Sequence, residues 1–175
     1  MLIAKKFLAL HRTHHRLSWW FILEPDGPIR LDFHLAGHRQ ALQTLRQWGG
    51  TIVGEGEEGP CPAADLLSRR LAAYLAGESR HLFPQAPPSP FLAAGSIFQQ
   101  RVWREIAAIP YGETRSYGEI GEALGGRALA RAVGSACGAN PCPLLIPCHR
   151  VVGKNSLGGF TGGIEIKKLL LAIEG

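Results

Sequence analysis

The sequence predicts an α+β fold: a small N-terminal α/β domain with an antiparallel hairpin sheet, then a mostly helical C-terminal domain containing a helix-turn-helix of winged-helix-like type. Three observations carry this expectation. Ile29, Leu31, Phe33 and Leu35 alternate with Arg30, Asp32, His34 and Ala36, the period-two pattern of a strand with one buried face. The stretch FPQAPPSP, residues 83–90, holds four prolines, which disfavour a helix or central strand and favour an extended linker. Beyond it, Ser96-x-x-Gln99 and Ser116-x-x-Glu119 are capping boxes that each open a helix. The expected division is therefore 1–82, a linker at 83–90, and 91–175.

In the first part, WWFILE and the alternating strand flank PDGP, a cluster of turn formers, so residues 19–35 read as a hairpin. Two amphipathic helices follow. One runs around Ala41, Leu42, Leu45 and Trp48 and is closed by Gly49-Gly50; the other carries Leu67, Leu71, Tyr74 and Leu75 and is closed by Gly77.

In the second part, the helix opened by Ser96 has an apolar stripe of Phe98, Val102, Ile106 and Ile109 and stops at Pro110. The helix opened by Ser116 carries Ile120 and Leu124, and Gly125-Gly126 breaks the chain before RALARAVGSA. Helix, tight turn, helix is the reading. In the last helix Leu129, Val133 and Ala136 share one face, while Arg127 and Arg131, four apart, share another. Such a pair is either a solvated face or a probe presented to DNA.

Composition narrows the function classes. The 175 residues carry a net charge of +5 and a pI of about 9.3, a balance that favours an acidic partner such as nucleic acid. No apolar run approaches the roughly 18 uncharged residues of a membrane span, and the cation-rich start MLIAKKFLALHRTHHR does not follow a secretory pattern. The expectation is a cytoplasmic protein, nucleoid-associated in a prokaryotic host. Cys61, Cys137, Cys142 and Cys148 lack C-x-x-C spacing and are expected as free thiols. His11, His14, His15, His34 and His38 have no cysteine at zinc-site spacing, so no metal is expected.

The chemistry concentrates in LLIPCHRVVG, Leu144 to Gly153. A thiol is a nucleophile only as thiolate, and an imidazole or a cation can lower its pKa from about 8.5. His149 and Arg150 are the adjacent candidates. On a regular strand neighbouring side chains point to opposite faces, so contact needs a backbone turn, which Pro147 can supply, or a bridging water. Nothing nearby matches a papain-like hydrolase.

IPCHRVVG together with RAVGSACGANP resembles the active-site region of the O6-alkylguanine-DNA alkyltransferases. The likeness runs from GSIFQQRVWREIAAIPYGETRSYGEIGEAL to the terminal LLLAIEG, about half the chain. It implies a DNA repair protein that moves the alkyl group from O6-alkylguanine irreversibly to Cys148, once per molecule, with no metal, nucleotide or other cofactor; activity on O4-alkylthymine stays open. His149 is implied as the general base, acting through a water, with Glu174 orienting it. Asn140 resembles the residue whose amide ties the recognition helix to the active-site loop, and Tyr117 the phenol that hydrogen-bonds the extruded guanine.

Arg131 resembles the finger that fills the gap left by the flipped nucleotide. Further implied DNA contacts are Ser116, Tyr117, Arg127, Ala130 and Gly134, and the implied substrate pocket includes Val151, Phe160, Thr161 and Tyr117. In the family the helix-turn-helix enters the minor groove of double-stranded DNA, and a monomer is expected. Phe160 stands where many relatives carry tyrosine, and Arg127 where proline is frequent. Cys137 and Cys142 are expected to be buried and unreactive. Two other readings are a non-catalytic sensor of alkylated DNA and a helix-turn-helix regulator with a redox thiol; Cys148 with His149 and Glu174 speaks against the first, and the lack of a dimerisation heptad against the second.

Overall fold

The strands β1 (Leu8–His14), β2 (Leu17–Glu24), β3 (Gly27–Leu35) and β4 (Thr51–Val53) form one sheet in the order β3-β2-β1-β4. The computed structural model describes residues 8–14, 17–24, 27–35, 51–53, 62–80 and 95–175. The helix expected around Ala41 to Trp48, the proline-rich stretch 83–90, Cys61, His15 and His38 lie outside the described residues. Strand β2 runs antiparallel to both neighbours, with Leu10 opposite Phe21 and Phe21 opposite Leu31, and β4 lies parallel to β1.

Helix α1 (Pro62–Leu75) begins on a proline, whose fixed φ suits a first turn. It ends where Gly77 takes φ +73° and donates to the carbonyl of Tyr74 at 3.0 Å, a left-handed cap that glycine adopts without steric penalty. Leu71 and Tyr74 are buried.

Both capping boxes form. At α2 (Ile97–Ala107), Ser96 Oγ accepts from Gln99 N and Ser96 N donates to Gln99 Oε1. At α3 (Tyr117–Leu124), Ser116 and Glu119 exchange the same pair of bonds. Each box satisfies backbone donors that a helix start leaves without partners. Trp103 Nε1 donates to Ala136 O at 2.8 Å, which ties α2 to α4 (Ala130–Gly138). Val102, Trp103, Ile106, Ile120, Val133 and Ile146 are the centre of the core there, with Cys148 at its edge.

The turn between α3 and α4 differs from the expected continuous helix. Arg127–Leu129 form a separate 3-10 turn, and α4 starts at Ala130. Gly126 caps no backbone donor with a side chain, so nothing there favours a full α-helical start. Arg127 thus belongs to the 3-10 turn and Arg131 to α4; the Nε of Arg127 donates to Glu122 Oε2 at 3.2 Å. Both arginines are exposed.

Two short strands, β5 (Arg115–Ser116) and β6 (Val151–Val152), pair in parallel, Arg115 opposite Val151 and Ser116 opposite Val152. This ladder sets the first residue of α3, Tyr117, beside the chain that leaves Cys148. Helix α5 (Ile164–Glu174) closes the fold and buries Ile166, Lys167, Leu170 and Glu174. Lys167, Leu170 and Glu174 recur at helical spacing, so one face of α5 carries an apolar residue between two charges.

Candidate active site

The path of the chain into Cys148 is an inverse γ-turn. Pro147 has φ −76° and ψ 64°, and Cys148 N donates to Ile146 O at 2.7 Å. Residues Cys148–Arg150 then form a 3-10 turn. At about three residues per turn, successive side chains fan out instead of alternating across a strand. The thiol, the imidazole and the guanidinium thus leave in three directions.

Asn140 secures the entry to this turn. Its Nδ2 donates to Ile146 O at 2.7 Å and its Oδ1 accepts from Cys142 N at 2.9 Å, so one amide joins the end of α4 to both sides of the loop before Cys148. Within that loop Leu144 has φ 72°, a left-handed conformation that costs a branched residue about 1–2 kcal/mol. The bonds from Asn140 help to hold it.

Glu174 is the hub of the site. Its side chain is 1% exposed. Oε1 lies 2.7 Å from His149 Nε2 and accepts from Arg150 Nη2 at 2.9 Å and from the hydroxyl of Tyr74. Oε2 accepts from Arg150 Nε at 2.9 Å and Gly112 N at 3.2 Å. Burial alone would raise this carboxyl, but the bonds from His149, Arg150 and Tyr74 outweigh it and hold Glu174 well below the usual carboxylate range. The remaining guanidinium nitrogen, Nη1, donates to Ile109 O at 2.7 Å.

His149 is fully buried. Because Glu174 is ionised, Nε2 carries the hydrogen and donates, which leaves Nδ1 as the lone-pair nitrogen. Nδ1 is buried and makes no hydrogen bond to the protein. Burial lowers the pKa of the imidazole, with Glu174 opposing. Phe160 meets the ring edge-on at 6.5 Å.

Cys148 lines a cavity of about 340 Å³ with Tyr117, Gly134, Cys137, Gly138, Gly159, Phe160 and Thr161. That volume lies within the roughly 300–1,000 Å³ of small-molecule sites. Burial pushes the Cys148 thiol up to about 11, with Asn140 and Lys167 partly opposing. Of the two adjacent candidates for lowering this pKa, Arg150 is not one that does so: its guanidinium is committed to Glu174 and Ile109. Tyr117 is raised by burial and then by Cys137, so it stays a phenol able to donate a hydrogen bond.

Gly158, with φ +69°, places an imagined Cβ 2.6 Å from Tyr117 Oη, so only glycine lets the loop pass this close. Lys167 is buried and donates to Val151 O at 2.6 Å and Gly159 O at 3.2 Å, which ties β6 to the glycine-rich loop that lines the cavity.

The sequence-derived residues divide clearly. Cys148, Tyr117, Gly134, Phe160 and Thr161 meet at the cavity; His149 and Glu174 pair with each other; Asn140 braces the loop; Val151, expected in the pocket, is fully buried in the core and does not line the cavity. Arg131, Arg127, Ala130 and Ser116 lie along the helix-turn-helix and do not line the cavity. Cys142 is buried as expected, whereas Cys137 is only half-buried and lines the cavity, its thiol pushed up to about 12 by burial and the nearby Cys148. Sequence reasoning missed Lys167, Tyr74 and the role of Arg150. The only signal for Lys167 was a cation on the apolar face of α5.

A helix-turn-helix set beside a cavity that holds a buried thiol, together with a His-Glu pair, defines a nucleic-acid-directed protein with a cysteine nucleophile. Residues 97–175 match the family described as 6-O-methylguanine DNA methyltransferase, DNA binding domain. The chain is 43% identical over 153 residues to a methylated-DNA–protein-cysteine methyltransferase of Mycolicibacterium paratuberculosis, covering 85% of this chain and 88% of that one. The crystal structure of Mycobacterium tuberculosis O6-methylguanine methyltransferase superposes with a TM-score of 0.74 at 32% identity, covering 96% of this chain and 92% of that one. For Mycobacterium tuberculosis OGT in complex with DNA the TM-score is 0.73, at 32% identity and with 95% and 92% covered. The chain belongs to the methylated-DNA–protein-cysteine methyltransferase family. No helix among the described residues is long and apolar enough to cross a membrane.

Proposed function

We propose that this chain repairs O6-alkylguanine in DNA by transferring the alkyl group to Cys148. The observation that carries the reading is the position of the Cys148 thiol in the wall of a cavity that also presents the Tyr117 phenol and the Gly159 backbone. A base extruded from the duplex is the ligand such a cavity suits, because chemistry on O6 needs the base out of the stack.

The reaction is an in-line displacement. The Cys148 proton passes through a water toward His149 Nδ1, the nitrogen left free by the bond from Nε2 to Glu174. Sulfur forms a bond to the alkyl carbon as that carbon's bond to O6 breaks, and the electron pair remains on guanine. Tyr117 donates a hydrogen bond to the leaving base and offsets its charge. Burial disfavours the charged form of Cys148, so removal of its proton by His149 is part of the transfer step. The product is a thioether without a polarised carbonyl, which water does not cleave; each molecule reacts once.

In this reading α4 enters the minor groove of double-stranded DNA, where the pattern of donors and acceptors depends little on sequence, and exposed Arg131 occupies the gap left by the flipped nucleotide. Residues 1–82 and 91–175 act as two domains joined by the linker at 83–90, and the protein works as a monomer. Replacing Cys148 by Ser tests the assignment: transfer is abolished while binding to DNA, still weakened by salt through phosphate contacts, is retained. A sensor without chemistry would be unaffected by that replacement in every assay.

A further inference from the structure

We propose that Tyr74, on α1 and far in sequence from the Cys148 region, is a positioning residue of the transfer reaction: its hydroxyl holds Glu174 Oε1 against His149 and so fixes Nδ1 as the proton acceptor. This inference rests on the alkyl-transfer reading of the site. Tyr74 lies 100 residues from Glu174 and 75 from His149 in sequence, yet it is buried and its hydroxyl donates to the same carboxylate oxygen that His149 Nε2 faces. The hydroxyl also lies 3.4 Å from His149 Nε2.

The rest of the tyrosine is held as firmly as its oxygen. Its ring meets Tyr111 edge-on at 6.1 Å and 89°. Tyr111 lies under the Arg150 guanidinium at 5.8 Å and donates to Ile173 O at 2.9 Å. Tyr74, Tyr111, Arg150 and Glu174 therefore close a ring of contacts around the back of the imidazole, with α1 supplying one member.

The chemical consequence follows from what Oε1 shares out. It receives hydrogen bonds from Tyr74, His149 and Arg150, and each donor draws charge away from the others. Losing the Tyr74 hydroxyl leaves more negative charge directed at His149 and a less constrained carboxylate. The charged and titratable groups that act on His149 are Glu174, which favours its protonation, and Arg150 and Lys167, which oppose it, with burial the largest influence. Cys148 adjoins it in the chain. Tyr74 itself is raised far above the usual phenol range by burial and then by Glu174, so it donates at every working pH.

Neutral His149 is the base, and transfer is lost as pH falls through its pKa. Without the Tyr74 hydroxyl that pKa rises, and the acid limb moves to higher pH. The test is the single-turnover rate of transfer from an O6-methylguanine duplex to the full chain between pH 5 and 9, for wild type and Tyr74→Phe, with urea unfolding of each sample. Tyr74→Phe is expected to shift the acid limb upward by about half to one unit and to lower the plateau by roughly 3- to 10-fold, on the scale of a supporting hydrogen bond behind a catalytic group. Replacement of Tyr74 by 3-fluorotyrosine, a stronger donor in a ring of nearly the same size, moves the limb the other way. Wild-type transfer with coincident profiles for wild type and 3-fluorotyrosine protein, or with a slower plateau and no shift of the limb in Tyr74→Phe, overturns the positioning role. Failure of the wild type to transfer overturns the alkyl-transfer reading and, with it, this inference.

Discussion

His149 Nε2 and Glu174 Oε1 lie 2.7 Å apart, and both side chains are closed to solvent. This bond to an ionised carboxylate favours the tautomer with the hydrogen on Nε2 and leaves Nδ1 as the nitrogen that serves as base in the proposed reaction. His149→Gln keeps a donor that can reach Glu174 but has no nitrogen able to take the thiol proton. Transfer measured in single turnover falls by roughly 10²- to 10⁴-fold, the range that general bases contribute, while the fold and DNA affinity persist. A fall of less than threefold would assign proton removal to another group.

Glu174→Gln removes the charge from a carboxylate that Arg150, His149, Tyr74 and Gly112 all address. Breaking a buried ion pair from one side costs about 3–5 kcal/mol, and urea unfolding at pH 7.5 measures it. The same pair sets the response to acid. Burial depresses His149 below its ordinary 6.5, so the unfolded chain takes the proton first and stability declines once pH falls below about that value. Glu174 is depressed below its ordinary 4.5; its contribution is complete above that pH and is lost as pH falls through the lower folded value. Wild type therefore loses stability in two stages on acidification, and Glu174→Gln lacks the second. A single stage in both proteins would contradict the linkage.

The helix-turn-helix and the loop around Cys148 were legible in the sequence because local chemistry determines them. Ser96 with Gln99 and Ser116 with Glu119 satisfy donors only three residues away, and Pro147 presets the φ of its turn, which Asn140 then braces. Glu174 was found only through the resemblance, because its partners lie 24 or more residues distant. Tyr74 read as an ordinary core position on an amphipathic helix, which it also is; its hydroxyl acquires a role only when α1 meets α5. Arg127 and Arg131, read as one helix, fall in two elements, a 3-10 turn and α4, a change of helix type that spacing in sequence does not reveal. Arg150 was misjudged because adjacency to Cys148 in sequence says nothing about direction in a 3-10 turn.

Arg131 projects from the exposed face of α4 and touches nothing in the cavity. Arg131→Ala should slow transfer from duplex DNA by about 10-fold or more, since flipping a base costs a few kcal/mol that the side chain partly offsets. Transfer from free O6-alkylguanine base, which needs no flipping, should change by less than about twofold on the same ground. Parallel rate measurements on the two substrates decide it, and equal slowing on both would reject the finger.

In the proposed reaction Cys148 takes the alkyl group and keeps it. The most direct measurement of this is the intact mass of the protein after incubation with a duplex carrying O6-methylguanine, followed by peptide mapping. The expected result is a gain of one methylene per molecule, placed on the peptide that contains Cys148 and not on those with Cys137 or Cys142, and no further gain when more duplex is added. An unchanged mass in a folded, DNA-binding sample, or a methyl group found on Cys137, would contradict it.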